Sequence, residues 1–179
     1  MYMKFGALDF TPAQDLPELV GAPVLTALQK HQLTEVYVSA IDASLADTAA
    51  FCEAYDIGLE VSANCVIVEA KRAERTWYAA CLVLATTRAD VNGAVRRYLD
   101  ARKISFAPMD IATSLTGMEY GGITPIGLPP GWPILVDSNV VAAKQVIIGS
   151  GIRGSKLLIA SSQLASLPGA IVMGLTKPA

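Results

Sequence analysis

Apolar and polar residues alternate along 34–40 (TEVYVSA), the two-residue period of a strand with one buried face, and the largely apolar segment 63–70 (ANCVIVEA) reads as a second strand. Both segments carry β-branched residues, which suit a pleated surface. A longer apolar run at 77–85 (WYAACLVLA) follows the charged segment 71–75, and together these predict an antiparallel hairpin with a basic tip. Shorter runs at 104–107, 134–136, 145–148, 156–160 and 170–173 predict further strands. Helical spacing occurs elsewhere. Leu16, Leu19, Val20, Val24 and Leu28 share a face over 16–29, with Pro17 in the first turn and Pro23 placed to divide the helix. Asp42 or Ser44 can cap a helix reaching Ala54, whose alanines and Phe51 supply the buried stripe. Asp90 is placed to cap 91–101, where Val91, Val95, Tyr98 and Leu99 align, and 110–115 and 161–166 predict one or two helical turns each.

This order mixes helices with strands, contains a hairpin and does not repeat a βαβ unit. It predicts an α/β (mixed α+β) fold with a mixed, partly barrel-like β-sheet flanked by helices. With no internal repeat and no linker, one domain over 1–179 is expected, long enough to bury a core without metal or disulfide.

One segment resists any regular element. Nine of the 17 residues in 117–133 (GMEYGGITPIGLPPGWP) are Gly or Pro, so it must be a long shaped loop, and such loops tend to carry function. The uncharged stretch 157–176 has the length of a membrane span. Ser161, Ser162, Gln163, Ser166, Pro168 and Gly169 interrupt it, and strand–turn–strand fits better. Residues 1–10 carry Lys4 and Asp9 without a continuous apolar core, so neither leader nor membrane anchor is read and a cytoplasmic protein is expected.

The net charge of −2 is unevenly spread. Residues 1–70 hold ten acids and two bases, whereas 71–103 hold eight bases (Lys71, Arg72, Arg75, Arg88, Arg96, Arg97, Arg102, Lys103) against three acids. A basic segment on an acidic protein suits phosphate binding, or is a solvated face. The acidic N-terminal part could equally serve assembly.

Candidate chemistry is sparse. Cys52, Cys65 and Cys81 lack CxxC spacing and the chain has one histidine, His31, so neither a metal site nor a Ser–His–Asp arrangement can be built and no cofactor is expected. GSGIRG (149–154) matches GxGxxG, but the following SKLLIA reads as a strand and too little chain remains for a dinucleotide-binding sheet.

The loop TGMEYGGITPIGLP (116–129), with Gly121 to Pro125 as a GxxxP element, resembles the Gly-rich loop of the YbaK/prolyl-tRNA-synthetase-associated domain family. The turn GSGIRGSKL (149–157) is similar to that family's later glycine/arginine turn, and the resemblance extends from about Asp42 to Met173. It implies hydrolysis of the ester joining a wrong, small amino acid to tRNA, with the 3′ aminoacyl end as partner. Editing is needed because binding alone separates small side chains by only about 1–3 kcal/mol per methylene.

Backbone N–H groups of Gly121 and Gly122 could stabilise an oxyanion, with Pro125 stiffening the loop, although glycines and prolines also simply make turns. Thr116, Glu119 and Ile123 flank the loop as substrate-binding candidates, and Gly149, Gly151 and Arg153 join them from the second turn. Active members of the family carry a lysine near the start of the 63–70 strand, where this chain has Asn64. A second departure is Lys156, where many relatives have an acid. These departures leave two readings open, a deacylase or a module that keeps the pocket and binds aminoacyl-tRNA ends without turnover.

Overall fold

The strand expected at 63–70 and the apolar run at 77–85 that follows it form the centre of one of two five-stranded sheets. The structure, a computed structural model, describes residues 2–178. Its strands are β1 (Met3–Phe5), β2 (Leu8–Pro12), β3 (Val36–Ala40), β4 (Ala63–Arg72), β5 (Arg75–Leu84), β6 (Thr87–Ala89), β7 (Lys103–Phe106), β8 (Ile134–Asp137), β9 (Gln145–Gly149), β10 (Ser155–Ala160), β11 (Ala170–Met173) and β12 (Thr176–Pro178). Its α-helices are α1 (Ala22–Lys30), α2 (Thr48–Tyr55), α3 (Arg96–Leu99), α4 (Met109–Thr116), α5 (Ser138–Ala142) and α6 (Ser161–Ala165).

The first sheet has the order β1-β2-β3-β10-β9, antiparallel throughout. The second has the order β11-β8-β5-β4-β7, in which β8 runs parallel to both neighbours. A parallel bridge between Ser62 and Ile147 joins the two sheets where β4 begins beside β9. The chain thus adopts the mixed α/β class with a partly barrel-like sheet.

Central strands bury both faces, which is why they read as continuous apolar runs. In β10, Leu157 and Ile159 pack with Val24 and Leu28 of α1, while Leu158 faces the other way against Phe10 and Phe51. In β8, Ile134 and Val136 join the first cluster and Leu135 packs with Val68, Val95 and Leu175. Asp137, also buried, accepts N–H groups from Asn139 (3.2 Å) and Leu175 (3.0 Å), capping α5 and tying down the tail.

Several local expectations are corrected. The helix expected over 16–29 starts only at Ala22; single 3₁₀ turns at Ala13–Asp15 and Pro17–Leu19 precede it. Pro23 opens this helix rather than dividing it, because its missing N–H is one the first turn never uses. Lys71, Arg72 and Arg75 belong to the strands, and only Ala73 (φ 54°) and Glu74 turn the chain. The 91–101 helix is a π-type turn, Val91–Val95, running into α3, and Asp90 caps it by accepting from Ala94 N–H (3.1 Å). The 157–176 stretch is strand, helix and strand, and no helix among the described residues is long and apolar enough to cross a membrane.

Candidate functional site

The Gly/Pro loop is held in place by the second glycine turn. Helix α4 ends at Gly117, whose left-handed φ of 69° releases the chain into the loop. The Thr116 hydroxyl donates to the Ala112 carbonyl (2.7 Å) and accepts from Met118 N–H (3.2 Å), so this buried side chain is spent on the helix end.

A ladder then binds loop to turn. Glu119 N–H donates to Gly151 O (3.0 Å), and Gly151 N–H donates to Gly122 O (2.7 Å). Arg153 N–H donates to Glu119 Oε1 (2.8 Å), while its guanidinium donates to the carbonyls of Tyr120 (2.9 Å) and Ala43 (3.1 Å). The Arg153 guanidinium thus clamps two backbone segments, the loop at Tyr120 and the chain at Ala43, onto its own turn.

The glycines are what allow this approach. A Cβ on Gly122 would lie 2.7 Å from the Ile152 backbone, and one on Gly149 would lie 2.6 Å from Gly122 O and 2.7 Å from Ile123 O. The GxGxxG match at 149–154 thus has a packing cause: β9, a turn and β10 form an antiparallel pair against the loop, so that a strand and not a helix follows the turn.

Where loop, turn and β4 meet, a cavity of about 260 Å³ opens. Asn64, Gly121, Ile123 and Gly149 all line it. Thr116, Glu119, Gly122, Gly151 and Arg153 frame it without lining it, and Pro125 faces a separate groove shared with His31 and Trp132. Gly122 N–H donates to Glu119 O (2.9 Å), so its amide is committed inside the loop. Gly121 (φ 86°) keeps an N–H without a partner among the described residues. The Thr48 hydroxyl donates to Asn64 Oδ1, which fixes the carboxamide and leaves Nδ2 as a donor.

Asp47, Thr48, Cys65 and Lys156 also line the cavity. Lys156 is 7% exposed and donates to Ala46 O (3.1 Å), with Nζ 5.2 Å from the Phe51 ring centroid. Burial holds its ammonium below the ordinary lysine range and Arg153 adds to this, while Cys52 and Asp47 oppose it. A lysine inside the apolar run SKLLIA was the available signal for this position.

The thiols carry no such promise. Burial pushes Cys65 up and Cys81 up to about 12, so neither is a thiolate nucleophile near neutral pH. Among the described residues no group of three or more His, Cys, Asp or Glu gathers as a metal site.

A cavity walled by a glycine-rich loop and an open amide defines a small-ligand pocket, and comparison with known proteins gives its class. The model of the aminoacyl-tRNA editing domain matches residues 42–167, well over half of the chain, and the protein belongs to that family. Solved structures share the fold. One is a candidate trans-editing enzyme for prolyl tRNA synthetase, with TM-score 0.75 at 20% identity, covering 88% of this chain and 96% of that one. A protein named only as hypothetical gives 0.76 at 19%, covering 87% and 99%. A protein from Marinobacter aquaeolei assigned to signal transduction gives 0.59 at 15%, covering 86% of this chain but 30% of that one.

Proposed function

We propose that the protein is a deacylase that hydrolyses the ester between a small, wrongly attached amino acid and the 3′ end of a tRNA. The observation that carries this reading is the 260 Å³ cavity, lined both by Gly121, whose N–H has no partner among the described residues, and by Asn64, whose carboxamide Thr48 fixes. Such donors suit the charge that develops on an ester oxygen under attack by water. The volume is below the usual 300–1,000 Å³ of drug-sized sites, which favours a short acyl group over a large one. Water adds to the acyl carbon, the bond to the ribose oxygen breaks, and that oxygen leaves with a proton. No imidazole lines the cavity, so the attacking water must be positioned by main-chain groups and by the ligand.

The test is a deacylation assay with tRNAs mischarged with alanine, serine, cysteine and larger residues. Release of a small amino acid well above the buffer rate is expected, with an Asn64→Ala protein slower by about tenfold to a hundredfold. No release from any pair, with aminoacyl-adenosine analogues still bound, would favour the module without turnover.

The tRNA body has a candidate docking face at the far end of β4. Arg96, Arg102 and Lys103 lie there without an ion-pair partner among the described residues, beside Lys71 and Arg72, whose pairs with the half-buried Glu69 and the exposed Asp100 are each 3.3 Å long. Seven strand residues separate Lys71 from Asn64, roughly 23 Å at about 3.3 Å each. That is a duplex-sized offset from the cavity. Changing Arg102 and Lys103 to Glu should weaken tRNA binding by about tenfold or more and flatten the plot of log K against log salt by about 2. An unchanged slope in a titration across salt concentrations would remove this face from the reading.

A further inference from the structure

Lys156 is the most deeply buried polar side chain on the cavity wall, and beyond one carbonyl and the Phe51 ring its ammonium has no carboxylate partner among the described residues. It sits on β10, an interior strand of the first sheet, where Leu157, Leu158 and Ile159 beside it are fully buried. An apolar residue would fit the core pattern at this position. Its cross-strand neighbours are Ser39 and Gly149, two small residues that leave a lane for a long side chain. At the end of that lane Nζ makes one hydrogen bond, to Ala46 O, and no carboxylate ion pair among the described residues. The groups that face it are Cys52 and Phe51 of α2, Asp47 ahead of that helix, and Arg153 across the turn. Asp47 lines the same cavity outside ion-pair distance and Arg153 repels.

Removing an ammonium from water without a paired anion is costly, so a buried one that opens onto a cavity points to a ligand of opposite charge. The most deeply placed donor meets the part of the ligand that enters first. For an aminoacylated tRNA end entering a cavity of this size, that part is the acyl group and not the phosphates.

We propose that Lys156 is a catalytic residue of this site, holding the oxyanion of the tetrahedral intermediate together with Asn64 Nδ2 and the Gly121 N–H. The inference rests on the deacylase reading. Water adds to the acyl carbon and releases a proton to solvent, and the carbonyl π pair moves onto oxygen to give the anion that Lys156 faces. Collapse restores the carbonyl and expels the ribose oxygen, which is protonated by solvent. The positive charge of this site is thus supplied from β10, in the same cavity as Asn64 of β4.

The experiment uses two hydrolysis-resistant analogues of aminoacyl-adenosine measured by calorimetry, one with a planar neutral amide link and one with a tetrahedral anionic phosphonate link. Wild-type protein should prefer the phosphonate by about a hundredfold. Lys156→Met should erase that preference while holding the amide analogue within about twofold, and Lys156→Arg should restore part of it. Circular dichroism verifies that each variant is folded. Three results overturn the assignment: a wild-type protein with no preference, a Met variant that keeps it, or a folded Met variant that loses both analogues equally. A wild type that prefers the phosphonate but leaves every mischarged tRNA intact sinks the deacylase reading alone, because the charge recognition is then still measured.

Discussion

A Gly149→Ala protein is expected to lose most of the deacylase activity proposed above, by about a hundredfold, and to be destabilised by roughly 1–3 kcal/mol. The added methyl would sit 2.6 Å from Gly122 O and 2.7 Å from Ile123 O, and both atoms belong to backbone. No side chain can swing away, so loop or strand must move. The loop end that moves is the one tied to Gly151 N–H through Gly122 O, and the next residue back is Gly121 with its open amide. A shift of about 1 Å in that donor is enough to cost two orders of magnitude in rate. Gly154→Ala is the matched control, because nothing lies within 4 Å of its added Cβ and its φ is not left-handed. Thermal melts and deacylation rates of the two variants, measured side by side, make the check. Equal behaviour would mean that the contact between loop and turn is not what positions the amide.

Lys156→Met is expected to be more stable than wild type while failing at the site. Removing a buried, unpaired ammonium should add about 1–2 kcal/mol, or about 2–8 °C of melting temperature for a chain of this size. The pH dependence follows from the direction of the shift. Burial lowers the folded-state pKa of Lys156 beneath its unfolded value of 10.5, so the fold disfavours the charged form. The penalty is therefore complete below the lowered pKa and fades as pH rises from there towards 10.5. Wild-type stability should climb through that alkaline window, and the Met variant should lack this contribution. Melting curves from pH 7 upwards test it, and a Met variant less stable than wild type at pH 7 would show that the lysine is structural. Stability gained where function is lost is the usual signature of a site residue.

The aminoacyl-tRNA editing domain covers residues 42–167, yet β1 to β3 and α1 lie before it. They are part of the site's support all the same. β3 pairs with β10 and so fixes the lane in which Lys156 runs, and Gly21 N–H donates to Ser150 O (2.9 Å) at the foot of the glycine turn.

Strands were legible wherever burial was one-sided or complete, as in 63–70 and 156–160, because the side-chain period follows directly from the pleat. The strands β1 and β2 were not, since Lys4 and Asp9 interrupt a short edge pair whose pairing partner is distant in sequence. The loop could be seen as a loop from its glycines and prolines alone. Which amide it frees could not, because Gly122 N–H and Gly121 N–H differ only in whether Glu119 O is within reach.

The sequence by itself determined the class of the fold, the position of the shaped loop and the place of Asn64 in a strand, all local properties of composition and period. Tertiary structure alone decided that Arg153 clamps backbone and that a lysine on β10 shares a cavity with Asn64 on β4. Those facts depend on which strands become neighbours across long stretches of chain, and that is set by packing between sheets rather than by any pattern within a segment.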